Sequence, residues 1–378
     1  MTEFQPFLLE RMMSKYEQLV EYNISESGVY PVFLKELLDG DSSRIEGLLG
    51  ISLNYPHAEG IPELREHIAA LYPGSGPENV LVTIGAAEAN YITTHTLLQR
   101  GDGISIILPN YMQIWGIAKN IGLSVSEFSL QEDQSWALDR DELRKSVSNS
   151  TRLIAVCNPN NPTGHILTES EMDDIVTAAD RVGAWILADE VYRGAERTTD
   201  VETPSFYGLY DKVVATGSLS KAYGIPGLRV GWVVAPVERI DDIWARHEYI
   251  TISAGMLDNH LAALALSPEV RPRLIQRARD YIRKGYVVLE EWMESHGDTF
   301  SLTAPEAAAI AFVRYNLDIN STVLSERLCN EKSVYIVPGD HFGIDHHVRI
   351  SFGLPHDYLV PALDRIHDLI MELSSQAE

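Results

Sequence analysis

Lys221 lies in a loop whose composition suits covalent chemistry on a lysine amine. It belongs to segment 217–224, GSLSKAYG, which follows the apolar run 212–216. Glycines let a bulky group approach the backbone, and Ser218, Ser220 and Arg229 offer charge-assisted hydrogen bonds to a phosphate. This combination favours pyridoxal phosphate, whose aldehyde is held as a Schiff base on a lysine amine. The alternative is an ordinary surface lysine in a glycine-rich loop.

Two further segments place polar side chains directly after apolar runs. Asn161 belongs to NPNNPTG at 158–164, and Asp189 and Tyr192 belong to DEVYRG at 189–194. In order and spacing, the three segments resemble the class I/II aminotransferases, the aspartate-aminotransferase-like branch of the fold-type I pyridoxal phosphate enzymes. The resemblance extends from about residue 54 to residue 353, which is most of the chain.

The resemblance implies three catalytic residues, Lys221, Asp189 and Tyr192. The Lys221 amine would carry the cofactor and move a proton at the substrate α-carbon as general base and acid. Asp189 would pair with the pyridine nitrogen, because a lone carboxylate at the end of an apolar strand is costly. Tyr192 and Asn161 would bind the phenolic oxygen of the cofactor. The simpler alternatives are a helix cap for Asp189 and turn chemistry for Asn161.

A turn from a strand into a helix is the expected binding site for the cofactor phosphate. Backbone N–H groups at the start of a helix, together with the positive end of its dipole, attract anions. Relatives often add a hydroxyl group in this turn, which this chain lacks, so side-chain contacts must come from Ser218, Ser220 and Arg229. The turn is formed by Gly85, Ala86 and Ala87.

Four more positions match residues of the same family. Tyr111 would stack on the cofactor ring, although a tyrosine near a strand end is more often simple packing. Arg349 would bind the substrate α-carboxylate bidentately, and its alternative is a solvent-facing residue on a strand. Gly28 would line the substrate site, and Asn161 would contact the substrate as well as the cofactor. Tyr55 would reach the phosphate in a partner subunit, which implies a homodimer with shared active sites; otherwise it packs within its own subunit.

The resemblance implies an aminotransferase that moves an amino group between an amino acid and a 2-oxo acid. Fold and cofactor do not determine the reaction, because the same residues serve lyases and ring closures. Segments 24–29 and 218–224 are also similar to capreomycidine synthase, so a cyclase or lyase acting on a specialised amino acid is the alternative. A binding protein without the cofactor is disfavoured, because Lys221, Asp189 and Arg349 are all present. Five residues could contact the substrate side chain, and the sequence does not rank them: Glu10, Glu26, Tyr30, His57 and Arg193.

Composition restricts the partners and the location. A formal net charge of −24 argues against binding to nucleic acid or to anionic membranes. Only two cysteines and an N-terminus without a signal-peptide pattern favour a cytoplasmic protein. No apolar run approaches the ~20 residues that span a bilayer. We expect small-molecule partners and no metal site.

The elements that must position these residues alternate in type along the chain. Between about residues 45 and 235, β-rich runs alternate with helical patterns, which predicts an α/β fold with a mostly parallel seven-stranded sheet between helices. Three later strands, at 309–313, 333–337 and 348–352, indicate a smaller α+β domain. We therefore expect an N-terminal helix and loop at 1–44 that belongs to the small domain, a large cofactor-binding domain at 45–265, and the rest of the small domain at 266–378. The seven runs predicted for the large sheet are 79–84, 103–108, 123–128, 153–157, 184–188, 212–216 and 229–234.

Overall fold

The computed structural model describes residues 4–377, with side chains as far as residue 373. Residues 1–3 and 378, at the ends of the first and last predicted units, lie outside the described residues. The helices are α1 (Leu8–Tyr16), α2 (Leu34–Leu38), α3 (Ser42–Leu49), α4 (Pro62–Ala69), α5 (Gly85–Leu97), α6 (Gln113–Ile121), α7 (Arg140–Ser146), α8 (Glu169–Val182), α9 (Val237–His247), α10 (Met256–Leu266), α11 (Arg271–Glu294), α12 (Ser321–Arg327) and α13 (His356–Ala377).

The strands alternate with these helices through the first two thirds of the chain. They are β1 (Tyr22–Asn23), β2 (Val80–Thr83), β3 (Gly103–Leu108), β4 (Ser124–Gln131), β5 (Ala137–Leu138), β6 (Thr151–Cys157), β7 (Trp185–Asp189), β8 (Val213–Ser218), β9 (Gly231–Val234), β10 (Phe300–Ser301), β11 (Ile310–Tyr315), β12 (Val334–Tyr335), β13 (Val337–Pro338) and β14 (His347–Ser351).

The large sheet has the order β2-β9-β8-β7-β6-β3-β4-β5. Strands β4, β3, β6, β7 and β8 run parallel to one another, while β9 is antiparallel to both β8 and β2. The α/β class and the mostly parallel sheet are confirmed. The number of strands is corrected from seven to eight, because the two-residue strand β5 pairs antiparallel with β4.

Helices cover both faces of this sheet, and alternate strand residues face opposite layers. In β6, Leu153 and Ala155 pack into one core with residues of α5, α6 and α9. Ile154 and Val156 pack into another core with residues of α7 and α8. Side chains of a strand alternate between its two faces, so a strand covered on both sides becomes a continuous apolar run.

Helix α8 begins with a capping box formed by Thr168 and Glu171. The Thr168 hydroxyl accepts a hydrogen bond from the Glu171 N–H at 3.3 Å, and the Glu171 carboxylate accepts one from the Thr168 N–H at 2.8 Å. Two orphan donors at the start of the helix are satisfied in this way. Pro62 lies at the start of α4, where the fixed φ angle of proline suits the first helical turn.

The last third of the chain forms a four-stranded antiparallel sheet of order β10-β11-β14-β13. The strand predicted at 333–337 is wrong as a single unit, because β12 pairs with β1 and β13 pairs with β14. Helix α1 contacts this region: the rings of Tyr16 and Tyr335 lie 5.9 Å apart. The boundaries of the predicted domains stay a prediction. Across residues 4–377, no helix combines the length and apolar character needed to cross a membrane.

Candidate active site

A cavity of about 270 Å³ opens at the carboxyl ends of the parallel strands. Strands β6, β7 and β8 contribute Cys157, Asp189 and Ser218 at their last positions. Ligands bind at this edge in open α/β sheets because successive loops converge there. Helix α1 and the loop before α2 cover the cavity from the other side.

Most of the predicted site residues meet in this one cavity. Gly85, Gly28 and Tyr55 are the predicted residues that are not part of its lining. The roles of all of them stay predictions. The predicted residues in the lining are Ala86, Ala87, Tyr111, Asn161, Asp189, Tyr192, Ser218, Ser220, Lys221, Arg229 and Arg349.

The Lys221 amine lies in a half-buried position after β8. Burial lowers its pKa, and Glu26 opposes this effect by favouring the ammonium form. A lowered pKa increases the fraction of neutral amine, which is the nucleophilic and basic form. Gly28 packs against this loop, since a Cβ atom there would lie 2.9 Å from the Ser220 carbonyl oxygen. The absence of a side chain at residue 28 therefore lets the two segments approach.

The Asp189 carboxylate ends β7 and is 6% exposed. Burial raises its pKa, whereas a hydrogen bond from Asn90 works in the opposite direction. Asn90 Nδ2 donates to Asp189 Oδ2 at 2.8 Å, and the Thr216 hydroxyl donates to Asn90 Oδ1 at 2.9 Å. These contacts fix the orientation of the Asp189 carboxylate.

The turn before α5 has a backbone that requires glycine. Gly85 has φ of +73°, and a Cβ atom there would lie 2.5 Å from Arg229 Nη2. Gly231 on the neighbouring strand would place a Cβ atom 2.5 Å from the Ala86 nitrogen. The first N–H groups of a helix have no acceptor within the helix, so they are available to an anion. The turn and Arg229 thus form a cradle for an anionic group.

Arg349 is buried, with 1% of its surface exposed, so a solvent-facing position is wrong. Its Nη1 donates to Asn161 Oδ1 at 3.0 Å, and its Nη2 donates to the Ser25 carbonyl oxygen at 2.6 Å. Its Nε has no hydrogen-bond partner among the described residues. A buried guanidinium that keeps a free donor next to a cavity can accept a carboxylate from a ligand.

The two tyrosines of the lining differ in their surroundings. Tyr192 is 2% exposed, and burial raises the pKa of its phenol. The Tyr111 hydroxyl donates to Glu10 Oε1 at 2.6 Å, which joins the loop after β3 to helix α1. Phe7 packs edge-on against Tyr111, with ring centroids 5.0 Å apart.

Tyr55 lies apart from the cavity within this chain. Its side chain is 84% exposed. It borders a separate surface depression with Leu53, Pro56 and Met256. This placement leaves its phenol accessible to a second chain.

Several lining residues were not assigned by sequence reasoning. Asn90 lies four positions after Ala86 and three after Ala87 on α5, so its place on the same face of the helix could have been inferred from the helical period. Glu17 follows α1 and offers no comparable signal. Of the five residues left unranked, Glu10 and Glu26 line the cavity, while Tyr30, His57 and Arg193 do not. Arg193 instead forms an ion pair with Glu190 at 3.3 Å.

The donors and acceptors of the cavity fit pyridoxal phosphate. The cradle of Gly85 and Arg229 suits its phosphate, and the buried Asp189 suits a protonated ring nitrogen, which would offset the cost of burying the carboxylate. Lys221 supplies the amine that the aldehyde needs. Arg349 retains a free donor for the carboxylate of an amino acid.

Comparison with known proteins supports this fit over most of the chain. Residues 26–366 match the family model described as aminotransferase class I and II. The chain is 31% identical to capreomycidine synthase from Streptomyces vinaceus over 92% of its own length and 89% of that protein. It is 28% identical to an aspartate aminotransferase from Pyrococcus horikoshii, with 83% and 82% of the two chains covered.

A solved structure has the same overall arrangement. A pyridoxal phosphate-dependent aminotransferase from Streptococcus suis superposes with a TM-score of 0.92 and 30% sequence identity. The match covers 98% of this chain and 99% of that one.

Proposed function

The chain belongs to the aminotransferase class I and II family, and from this premise we propose that it moves an amino group between an amino acid and a 2-oxo acid. The enzyme is a transferase that uses pyridoxal 5′-phosphate. The observation that carries the proposal is the meeting of Lys221, Asp189 and Arg349 in one cavity.

Separate groups of this chain would hold the two ends of the cofactor. The N–H groups of the turn at Gly85, together with Ser218, Ser220 and Arg229, would bind the phosphate. Asp189 would bind the ring nitrogen, and Tyr192 and Asn161 would bind the phenolic oxygen. When bound, pyridoxal phosphate withdraws electrons from the substrate α-carbon and makes its proton removable.

The protein groups then have to orient the substrate and move one proton. Arg349 binds the α-carboxylate and is itself held by Asn161 and Ser25. Lys221 would take the proton from the α-carbon and would deliver it to the C4′ carbon of the cofactor, since its amine is the basic group whose pKa burial lowers.

A homodimer in the cytoplasm is part of the proposal. The exposed phenol of Tyr55 supports a second chain at that surface. Cys157 and Cys329 are both free and buried, which suits a reducing compartment. Each site would then contain residues of two chains.

A cyclase or lyase is the second candidate, and the 31% identity with capreomycidine synthase favours it. A half-reaction experiment with the amino acid in excess separates the two. The purified enzyme is mixed with one amino acid at a time, without a 2-oxo acid, and its absorbance is followed together with the products. A transferase converts the cofactor stoichiometrically to its aminated form and releases a 2-oxo acid. A cyclase or lyase releases many equivalents of product and leaves the cofactor in its original form.

A further inference from the structure

Three glutamates line one side of the active-site cavity. Glu10 lies on α1, Glu17 directly follows α1, and Glu26 lies in the loop before α2. All three side chains are half-buried. We call this group the acidic wall.

The acidic wall is not matched by the cations around it. Glu10 accepts a hydrogen bond from Tyr111 at 2.6 Å, but Glu17 and Glu26 have no side-chain hydrogen bond or ion pair within residues 4–373. All three line the same cavity, and burial raises the pKa of Glu17, with the charges of Glu26 and Glu10 raising it further, so Glu17 lies close enough to both to be repelled by them. Lys221 interacts with Glu26 and Glu10. The other two cations of the lining, Arg229 and Arg349, are assigned to the cofactor phosphate and to the substrate α-carboxylate, which leaves one ammonium for three carboxylates.

A second observation points to a ligand in the same cavity. Arg349 is 1% exposed, and its Nε lacks a partner among the described residues. Arg349 and the acidic wall both line this space. An occupant that satisfies both needs a carboxylate for Arg349 and a separate positive charge for the glutamates.

We propose that the amino-acid substrate carries a cationic side chain, a guanidinium or an ammonium, that Glu10, Glu17 and Glu26 bind. The inference rests on the proposed function in one respect, because it assigns Arg349 to the substrate α-carboxylate. A cation placed among half-buried carboxylates replaces repulsion by charge-assisted hydrogen bonds, and a guanidinium can donate to two of them. A neutral side chain of equal length leaves the repulsion in place, and an acidic side chain increases it.

Unreactive analogues test the inference without turnover. The holoenzyme is titrated by calorimetry with 5-guanidinopentanoate, which is arginine without its α-amino group, and with the neutral 5-ureidopentanoate. A second pair, 6-aminohexanoate and 6-hydroxyhexanoate, tests the ammonium. We expect at least one charged acid to bind about tenfold or more tightly than its neutral counterpart, the change typical of a hydrogen bond to a charged group. The inference is overturned if neither pair differs.

Variants of the acidic wall must reduce this preference. In Glu17→Gln and in Glu26→Gln, we expect the ratio of the two dissociation constants to fall toward one. Glu63→Gln removes the same charge from an exposed position of α4 outside the cavity and should keep the ratio of the parent protein. Two glutamine substitutions at different positions make loss of folding distinguishable, since each is compared by its ratio and by its melting temperature. A ratio unchanged in both folded variants contradicts the inference.

Failure of this inference differs from failure of the proposed function. If the charged acids bind selectively but no amino acid aminates the cofactor, the binding of a cation by the acidic wall is supported and the transferase proposal fails. If neutral or acidic amino acids aminate the cofactor and no charged analogue is preferred, the transferase proposal is supported. The acidic wall then does not bind a cationic side chain.

Discussion

Asn90 holds the carboxylate of Asp189, with Nδ2 of Asn90 2.8 Å from Oδ2 of Asp189. The two residues lie 99 positions apart, on helix α5 and at the end of β7. The same helix begins with the turn that forms the anion cradle. Helix α5 therefore connects the proposed phosphate site with Asp189, the proposed partner of the ring nitrogen. The distance between these two sites is set by a helix and not by a flexible loop.

We expect Asp189→Asn to retain the cofactor and to lose activity on the order of 100-fold. An amide cannot keep the ring nitrogen protonated, whereas the phosphate contacts remain. Occupancy is measured from the cofactor absorbance and activity from the single-turnover rate. Asp241→Asn, at an exposed position of α9, serves as a control. Near-normal rates at full cofactor occupancy would show that the ring nitrogen has a partner other than Asp189.

Asn90→Leu should act through Asp189 and move the pH profile. The Asn90 hydrogen bond lowers the pKa of Asp189, so its loss should raise that pKa and shift the acidic limb of kcat upward in pH. Thr216→Val removes only the support of Asn90 and should produce a smaller shift in the same direction. If the Asn90→Leu enzyme is slower but the pH dependence of kcat is unchanged, Asn90 contributes by packing and not by setting the pKa of Asp189.

Lys221→Ala should abolish turnover and leave the fold intact. Loss of a positioned acid–base group alone typically costs ~10²–10⁴ in rate. The assignment is checked by borohydride reduction of the parent holoenzyme followed by peptide mapping, which should label Lys221. Lys212→Ala changes a neighbouring lysine that donates to the Gly183 carbonyl oxygen and should keep the label. A pyridoxyl label on another lysine would refute the assignment.

The large sheet could be predicted from sequence because its strands are covered on both faces. Runs such as 153–157 are apolar throughout, and each ends where a polar motif begins. Strand β5 has only two residues, Ala137 and Leu138, which is too short for any periodic pattern. The run 333–337 was continuous in sequence, but Ile336 separates two strands with different partners.

Contacts within the site were less predictable than its motifs. Lys221 and Asp189 belong to local patterns with recognisable spacing. Glu10 meets Tyr111 from 101 positions away, and such a pairing depends on how α1 packs rather than on either local sequence. The acidic wall is therefore a result of tertiary packing.

Tyr55→Phe should weaken cofactor retention if the phenol completes the phosphate site of a second chain. A hydrogen bond to a charged acceptor is worth roughly 1.5–3 kcal/mol, which corresponds to about tenfold or more in affinity. The dissociation constant of the cofactor is measured by equilibrium dialysis. Tyr91→Phe, which changes an exposed tyrosine on α5, provides the comparison.

Mixed dimers decide whether Tyr55 is shared. In a dimer of one Lys221→Ala chain and one Tyr55→Ala chain, the site that contains Lys221 would receive Tyr55 from the other chain. That site should regain the cofactor affinity of the parent enzyme. Proven heterodimers without this recovery would place Tyr55 outside a shared site.

The half-buried contact of His165 with two carboxylates should make stability depend on pH. His165 Nδ1 lies 3.0 Å from Glu306, and Nε2 lies 3.6 Å from Glu171. Burial alone would lower the pKa of His165, but Glu171 and Glu306 raise it to about 9. Because the folded pKa exceeds the ordinary value of 6.5, the stabilisation is complete below about pH 6.5 and is lost as pH rises through about 9.

The comparison of the parent with His165→Gln tests this dependence. We expect the urea midpoint of the parent to exceed that of the variant at pH 6 and the difference to shrink by pH 9.5. On the acidic side, burial alone would raise the pKa of Glu171. The neighbouring His165 and hydrogen bonds from the backbone N–H groups of Leu138 and Thr168 instead lower it to about 2, below its ordinary value of 4.5. The contribution of Glu171 is therefore present above about pH 4.5 and lost as pH falls through 2. His57→Gln, at an exposed histidine outside the cavity, should show no such pH-dependent difference. A constant difference between the parent and His165→Gln from pH 6 to 9.5 would mean that the imidazole contributes by packing and not by its charge.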